Sequence, residues 1–428
     1  MERYAGVLLY AIPFFIVLLL IERVAAGIRG AKVVNGMDTL SSLSSGVTNV
    51  IKDVLGLTFV IISYRWLEAR ISLFDISEGW WLYLLAFIGI DFAGYWNHRL
   101  SHQVNYFWNV HIIHHSSEEF NLACALRQSI STLFGTFVIF LVPTAILGVP
   151  GEIITVVAPL HLFAQYWYHT RLIGKMGFLE KIIVTPSHHR VHHAINKEYL
   201  DKNMAQIFII WDKLFGTFQE ELDDVPPVYG VKRPGNTWNP ILINFQHLWQ
   251  LVKDAWRTRS WVDKLRIWFM PTGWRPADVQ AQYPVEVIED VYAYEKYAPQ
   301  VSNGSKVWFW TQGVITFGML LYLFARFGEI GAPGVFIFGG YVYLAVFNYT
   351  TQMDKSPFSV YTALVHSIAG IAILTITEDW FLVSDFSPFL KYLFGLYFIV
   401  SFIVTTYLQR RELDASLAAQ QMARVPSE

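Results

Sequence analysis

Histidine is the residue type whose distribution in this chain points most directly to chemistry. Eleven of the 13 histidines fall between positions 98 and 193 of the 428-residue sequence. His98 and His102 are spaced i, i+4, which places two imidazoles on one helix face. His111, His114 and His115 follow with the spacing i, i+3, i+4. Imidazole nitrogens at such spacings can share a metal ion, so these two clusters predict a metal site.

A third cluster lies further along the chain and repeats the same helical spacings. A lone zinc ion takes about four ligands, whereas the candidate imidazoles are numerous enough for two ions. The predicted ligands are His98, His102, His111, His114, His115, His169, His188, His189, His192 and His193. Zinc, copper, iron and nickel all accept imidazole, so spacing alone does not name the metal.

Two of the remaining histidines and the cysteine are expected to play no part in metal binding. His247 and His366 are isolated from the clusters, and we interpret both as packing residues. His161 recurs at four-residue spacing with Gln165 and His169 but is a weaker candidate. Cys124 is the only cysteine, so the chain has no CxxC motif and no intramolecular disulfide. Any metal must therefore be held by nitrogen and oxygen.

The composition predicts an integral membrane protein. Hydrophobic residues make up 54% of the chain and charged residues only 15%, which is too apolar for an ordinary soluble protein. A net charge of −2 gives no basic field, so nucleic acid is not an expected partner. Nine stretches are about long enough to cross a bilayer. They are 5–21, 45–64, 80–97, 130–149, 151–170, 307–325, 333–349, 358–376 and 388–408.

These stretches predict an all-α multi-helix transmembrane bundle of about nine helices with a histidine-rich helical cap. Lys and Arg follow the first and fifth stretches, which favours a cytoplasmic position for those loops and for the active site. We divide the chain into a catalytic membrane domain with its cap, 1–300, and a C-terminal four-helix transmembrane module, 301–428. Residues 238–268 mix tryptophan with basic residues, which is typical of segments on a membrane surface; packing against the protein is the alternative.

Carboxylates near the clusters are candidates for orienting the ligands. Metal-bound imidazoles usually donate their other N–H to a carboxylate or a carbonyl. Asp91, Glu118, Asp201 and Asp212 lie close enough in sequence to do so. Asp91 is the most informative, because an acid within an apolar helix is costly and it precedes His98 by two helical turns.

The three boxes, 98–102, 111–115 and 189–193, match H-x3-H, H-x2-HH and H-x2-HH, and the chain resembles the fatty acid hydroxylase and sterol desaturase superfamily. The sequences on either side of the histidine boxes indicate one branch of this superfamily. WNVHIIHHSSEEFNLACALRQS at 108–129, QYWYHT at 165–170 and TPSHHRVHHAINKEYLDKNMAQIFIIWDKLFGTF at 185–218 are similar to the alkylglycerol monooxygenase branch. The resemblance covers residues 40–220 well.

The resemblance implies a membrane-bound di-iron monooxygenase that hydroxylates lipid C–H bonds with O2 and, in that branch, cleaves the O-alkyl bond of glycerol ethers. It implies two iron ions, with zinc able to replace them during purification, and a reduced pterin or another external electron donor. The expected partners are a lipid from the bilayer, O2 and that reductant. The catalytic roles of Asp91, Glu118 and Asp212 would be indirect, through the ligands.

Three departures from the branch bear on the substrate and the reductant. Gln103 stands where the ether-lipid enzymes are expected to have an acidic residue, residues 204–206 replace an aromatic-glycine run, and His161 stands in place of asparagine. A sterol or ornithine-lipid hydroxylase or desaturase therefore stays open. A His-rich zinc protein or metal transporter is the alternative from another class, although transporters usually place ligands midway through several helices.

Overall fold

The computed structural model describes residues 2–423, except 59–61, 75, 77–78, 133–134 and 136. Within these residues the chain is helical and has no β-strand, only three isolated antiparallel bridges. The prediction of an all-α protein is therefore confirmed for the described part of the chain.

The N-terminal part of the chain contributes seven α-helices among the described residues. They are α1 Glu2–Ile28, α2 Gly36–Val54, α3 Tyr64–Ile71, α4 Trp81–Gln103, α5 Asn105–His115, α6 Val142–Ile146 and α7 Gly151–Phe163. A more polar central region follows. Its helices are α8 Pro186–His193, α9 Ile210–Phe215, α10 Pro240–Arg257, α11 Trp261–Arg266 and α12 Ala277–Gln282. The C-terminal helices are α13 Asn303–Ala325, α14 Phe327–Ile330, α15 Gly334–Met353, α16 Ser359–Ile376 and α17 Leu390–Ala423.

Four of the described helices are long and apolar enough to cross a bilayer. The four segments are Tyr4–Ile28 in α1, Asn303–Ala325 in α13, Ser359–Ile376 in α16 and Leu390–Asp414 in α17. The predicted count of about nine is not confirmed, because several apolar stretches are not single long helices. Stretch 130–149, whose residues 133–134 and 136 lie outside the described part, contains a 3-10 helix and the five-residue α6.

In two further apolar stretches the helix also ends before the stretch does. Stretch 151–170 forms α7, which stops at Phe163 after 13 residues. Stretch 45–64 corresponds to the end of α2, which stops at Val54, and its residues 59–61 are among those not described. These stretches are therefore apolar although none of them forms one continuous helix that could cross a membrane. Their apolar side chains contact the protein core or the membrane.

A buried corner between α4 and α5 sets the direction of the first two histidine clusters. Val104 is extended there, with φ −122° and ψ 126°, so the helix breaks between Gln103 and Asn105. The amide of the buried Asn105 side chain donates to the carbonyl oxygens of Ile267 and Trp274, and its oxygen accepts from the Gly273 N–H at 2.9 Å. Asn105 thus fixes the corner onto the segment that follows α11.

Helix α8 carries the third cluster and is buried along its whole length. Thr185 precedes it as N-cap, Pro186 occupies the first turn, and the His188 side chain completes a capping box with Thr185. Proline suits this position because its missing N–H would have no intrahelical partner there. The local sequence therefore starts the helix just before the histidines.

The largest hydrophobic cluster joins the beginning and the end of the chain. It combines buried residues of α1 and α2, including Leu40 and Ile51, with residues of α13, α15 and α17, including Phe338 and Phe398. Buried apolar side chains are the main stabilising contribution in such an interface. The division at residue 300 stays a prediction. Helices α1, α2 and α10 pack against the C-terminal module.

Candidate metal centre

Five histidines from three helices form one group, which we call the five-histidine group. His98 and His102 lie on the last turns of α4, His111 and His115 on α5, and His192 on α8; one ligand nitrogen from each lies within 4.8 Å of the others. The Nε2 atom of His111 is 2.9 Å from Nε2 of His98 and 3.0 Å from Nε2 of His115. The corner at Asn105 brings the α4 and α5 imidazoles together.

Four more histidines form the four-histidine group. His114 comes from α5, His169 from the segment after α7, and His189 and His193 from α8, again with ligand nitrogens within 4.8 Å. The Nε2 atom of His189 is 2.8 Å from Nε2 of His169 and 3.0 Å from Nε2 of His193. Helices α5 and α8 contribute to both groups, and the stacked rings of His115 and His193, 4.3 Å apart, join them.

The spacing of the nitrogens fits bound metal ions. Two imidazole nitrogens on one ion at about 2.1 Å are about 3.0–3.4 Å apart in octahedral or tetrahedral geometry, close to the distances within both groups. The Nε2 atoms of His102 and His192 are buried and have no hydrogen-bond partner among the described residues. A buried polar atom without a partner is costly, and a metal ion at the five-histidine group would remove this cost.

The outer nitrogens of the rings are oriented mostly by backbone carbonyls. The Nδ1 atom of His98 lies 2.7 Å from the Met204 oxygen, that of His192 lies 3.0 Å from the Lys202 oxygen, and that of His169 lies 3.1 Å from the Gln165 oxygen. An Nδ1–H that donates to a carbonyl leaves Nε2 free to bind metal. Sequence reasoning looked for carboxylates in this role, and backbone carbonyls have no sequence signature.

Burial keeps these imidazoles neutral, which is the form that binds metal. It lowers the pKa of His114 to about 3, and the neighbouring His98 adds to the effect. Burial likewise lowers the pKa of His193 well below its ordinary value, reinforced by His189 and His114. Burial thus favours the metal-binding form of His114 and His193.

Two of the predicted carboxylates brace the segment that holds Met204 instead of contacting a clustered histidine. Asp212 accepts from the backbone N–H groups of Met204 and Ala205 at 2.7 and 2.9 Å. Asp91 accepts from the N–H groups of residues 207 and 208 and lies 2.8 Å from Nε2 of His161. Asp212 therefore acts on His98 through the Met204 carbonyl, while His161 pairs with Asp91 outside both groups.

Glu118 and Asp201 have different surroundings. Glu118 accepts from the Tyr294 hydroxyl and from the Tyr297 N–H, both at 2.6 Å, and so fastens the segment before α13 to the loop after α5. Asp201 is the carboxylate that approaches a clustered histidine, with its oxygen 3.5 Å from Nδ1 of His102. Its side chain is 59% exposed, which weakens the contact.

The structure does not bring His188 to either group. Its Nδ1 atom lies 3.3 Å from the Thr185 N–H at the start of α8, and its ring packs against Phe218. His188 and His189 are consecutive in α8 and therefore point to different sides, and the three positions of the box, His189, His192 and His193, take the inner face. His188 is therefore left out of the ligand set that we propose.

The two isolated histidines have the packing surroundings expected for them. The Nε2 atom of His247 on α10 lies 2.9 Å from the Asn105 oxygen at the α4–α5 corner. That of His366 on α16 lies 2.8 Å from the Tyr341 hydroxyl.

A buried ion pair supports the position of His114. The Arg127 carbonyl lies 3.3 Å from Nδ1 of His114, and the Arg127 guanidinium donates to Asp38 at 2.7 Å and to Ser42 at 3.0 Å. Both charged side chains are almost fully buried. Breaking such a pair costs several kcal/mol, about 3–5, because one buried charge loses its partner. Sequence analysis did not identify Arg127 or Asp38.

Phe120 closes the side of the four-histidine group that faces α1. The buried Phe120 ring lies 5.2 Å from the ring of His193 and stacks on Tyr229 at 5.1 Å. The next residue but one, Leu122, donates its N–H to Glu22 of α1. An apolar wall of this kind limits water access to the centre.

Comparison with known proteins identifies a family whose profile covers both histidine groups. The profile of the fatty acid hydroxylase family matches residues 83–217, which contain all nine clustered histidines. Alkylglycerol monooxygenase of Xenopus tropicalis is 32% identical over 89% of this chain and 84% of its own length. No solved structure gives a significant match.

Two further relatives cover less of their own length. Human alkylglycerol monooxygenase is 39% identical over 65% of this chain, and the alignment spans 62% of the human protein, less than two thirds. An ornithine lipid hydroxylase of Rhizobium tropici is 29% identical over 32% of this chain and 41% of its own length. The similarity of the frog protein over most of both chains extends beyond the histidine boxes. The chain therefore belongs to the alkylglycerol monooxygenase family, a family of fatty acid hydroxylase-type lipid monooxygenases.

Proposed function

We propose that the protein is a membrane-bound di-iron monooxygenase that hydroxylates a lipid C–H bond with O2. The observation that carries the proposal is the convergence of nine imidazoles, seven of them buried and two partly buried, into two adjoining groups. When bound, a pair of iron ions would supply the activation of O2 that an unreactive C–H bond requires. Zinc could occupy the same nitrogen ligands in purified protein.

The chain's own residues would hold, orient and shield the metals. The four-histidine group offers fewer ligands than the five-histidine group, which favours it as the site with coordination positions left for other molecules. The carbonyls of Met204, Lys202 and Arg127 keep the rings in one orientation. The Phe120 wall excludes water, which protects the reaction from unproductive side steps.

We propose a glycerol ether lipid as the substrate, because the human and frog relatives are alkylglycerol monooxygenases. One oxygen atom of O2 would be inserted into a C–H bond next to the ether oxygen, and two electrons and two protons would convert the other to water. The resulting hemiacetal collapses to an aldehyde and an alcohol, which breaks the O-alkyl bond. The reductant would be a reduced pterin or another external two-electron donor.

Hydroxylation of an ornithine lipid is the second candidate. The Rhizobium tropici relative favours it, since its similarity covers 136 residues. The departure at Gln103 from the residue expected in ether-lipid enzymes keeps this candidate open. Both substrates carry alkyl chains and are reached from a bilayer.

We also propose that the centre lies at the cytoplasmic face of a bundle of spanning helices. Arg29, just after α1, donates to the Leu172 carbonyl, so basic residues gather beside His169 on one side, as the positive-inside rule expects for cytoplasmic segments. Trp256, Trp261 and Phe269, around α10 and α11, are 83%, 78% and 76% exposed, which supports contact between this cap and the membrane surface.

The proposal is tested with purified protein in lipid nanodiscs. Iron per chain is measured, and an alkylglycerol is supplied with a reduced pterin and isotopically heavy O2. We expect about two metal ions per chain and a product aldehyde that carries the label from O2 when it is reduced to the alcohol at once, before its oxygen exchanges with water. No label in the product, or a chain that binds no iron under anaerobic loading, would rule the proposal out. Labelled ornithine lipid with unchanged ether lipid would select the second candidate.

A matched pair of variants tests the ligand assignment. His114→Ala should remove metal from the four-histidine group and abolish activity, while His247→Ala, which loses a hydrogen bond to Asn105, should keep both metals. Full activity in His114→Ala would refute the assignment.

A further inference from the structure

A largely apolar cavity of about 510 Å³ lies between α1, α2 and α13. Its apolar wall includes Leu20 of α1, Leu43 of α2, and Val314 and Phe317 of α13. Volumes of about 300–1,000 Å³ with mostly apolar walls and a few polar groups are typical of small-molecule sites. None of the nine clustered histidines lines this cavity.

Three polar residues that line the cavity, Glu22, Arg23 and Asn121, define what we call its inner end. Along α1, the wall changes from the apolar residues 16, 19 and 20 to Glu22 and Arg23, and Asn121 joins them from the loop after α5. Glu22 is 5% exposed although it belongs to a helix apolar enough to span a bilayer. Acidic residues are rare in such helices and mark sites that bind polar groups.

This inner end adjoins the four-histidine group. One Glu22 oxygen accepts from the Thr170 hydroxyl at 2.7 Å, and Thr170 follows His169. Asn121 lines the cavity, and the preceding Phe120 packs against His193. The polar end of the cavity and the metal centre are thus separated by Phe120 and Thr170.

The opposite part of the cavity faces the region that a bilayer would occupy. Leu20 and Val314 line the cavity while being 59% and 65% exposed. They lie on α1 and α13, two of the helices long and apolar enough to span a membrane. A molecule dissolved in the bilayer could therefore enter between these two helices without passing through water.

We propose that this cavity holds the hydrocarbon chain of the lipid substrate, with the polar headgroup at Glu22 beside the four-histidine group. The inference rests on the proposed function and assigns α13 of the C-terminal module a part in substrate selection. Each methylene group that leaves water for an apolar site contributes about 0.8 kcal/mol, so the apolar wall favours a long chain. Headgroup hydroxyls can donate to the Glu22 carboxylate.

Chain-length preference tests the cavity. Val314→Trp should shorten the available space and lower kcat/KM for octadecylglycerol about tenfold relative to dodecylglycerol, since small changes in apolar fit have effects of that size. Val307→Trp is the matched control, because Val307 is 67% exposed on the same helix face two turns away and lies outside the cavity wall. Equal chain-length profiles in the two variants would overturn the proposal.

Phe317→Ala provides a second test if the tryptophan variant does not fold. It should enlarge the cavity and shift the preference toward longer chains. An unchanged preference in this variant would also count against the cavity.

A binding measurement separates this inference from the proposed function. A hexadecylglycerol probe with a photoreactive diazirine at the end of its chain should label α1, α2 or α13, with less labelling in Val314→Trp than in Val307→Trp. Labelling of these helices in a protein that converts no ether lipid would support the cavity and refute the ether-lipid activity. Conversion of ether lipid with labelling confined to other helices would refute the cavity alone.

Discussion

Two buried polar clusters of this molecule differ in how completely their polar atoms are hydrogen-bonded within the cluster. In the C-terminal module, the side chains of Gln312, Asn348 and Gln352 hydrogen-bond to one another at 2.9–3.2 Å. Thr405 and Thr362 add hydroxyl donors from the neighbouring helices. In the histidine centre, by contrast, Nε2 of His102 and Nε2 of His192 have no partner among the described residues.

The difference distinguishes a structural cluster from a ligand site. The amide network has a partner for every side-chain nitrogen and oxygen of its three amides, so it ties α13, α15, α16 and α17 together and needs no ligand. The imidazoles converge with several acceptor nitrogens facing one another, an arrangement that a shared metal ion would stabilise.

Adjacent histidines of α8 give the largest expected effect. His189→Ala should remove a ligand of the four-histidine group and lower metal affinity more than about 100-fold, since even indirect contacts with a ligand are worth about 10–100-fold. His188→Ala should leave the metal content unchanged, because His188 only caps the start of the helix. Metal per chain after dialysis against a chelator, measured by mass spectrometry, checks both.

Equal metal loss in the two α8 variants would contradict the division of these histidines. It would indicate that metal binding depends on the folding of α8 as a whole and not on the histidines of its inner face. Loss in His188→Ala alone would exchange the roles of the two residues.

The amide network should respond in stability and not in metal content. Gln352→Leu removes the acceptor of the Gln312 amide nitrogen and of the Thr405 hydroxyl, and one of the two donors to the Asn348 oxygen. The free energy of unfolding should therefore fall by about 1–3 kcal/mol. Thermal unfolding in detergent measures this, with Thr375→Val as control, because the exposed Thr375 hydroxyl bonds only within its own helix. Loss of bound metal in Gln352→Leu would show that the two clusters are coupled.

Asp354 lies where the C-terminal module meets the cap and predicts a pH dependence. It accepts from the Trp238 N–H at 2.6 Å and the Tyr297 hydroxyl at 3.1 Å, and burial raises the pKa of its carboxyl from 3.8 to about 6. A raised carboxyl pKa means that the folded protein binds the proton more tightly. The associated stability is present below pH 3.8 and is lost as pH rises to about 6.

The comparison with Asp354→Asn isolates this effect from the other titrating groups. As the pH rises from about 4 to about 6, the unfolding temperature of the natural protein should fall relative to that of the variant. Parallel curves would mean that the Asp354 carboxyl does not titrate in this range.

The sequence predicted the nine histidines that the structure brings into two groups, because helical spacing determines which side chains share a face. It does not determine the features that depend on long-range packing. The choice between His188 and His189 depends on where the Thr185 cap starts α8, and the number of spanning helices depends on where apolar stretches break. The carbonyls of Met204 and Lys202 and the Asp38–Arg127 pair could not be found, because backbone atoms and distant ion pairs leave no local pattern.

Asp201 should give the smallest effect and tests whether the carbonyls, not the carboxylates, orient the ligands. Its carboxylate lies 3.5 Å from His102 and is mostly exposed, so Asp201→Asn should lower metal affinity by less than about 10-fold. Asparagine tolerates the positive φ of 56° at this position, so backbone strain does not complicate the result. Asp223→Asn, another exposed carboxylate, which pairs with Lys175, is the control in a chelator competition. A loss of metal affinity near 100-fold for Asp201→Asn alone would mean that the contact between the Asp201 carboxylate and His102 strengthens when metal binds. The orientation of His102 would then depend on this charge as well as on the rigid corner at Asn105.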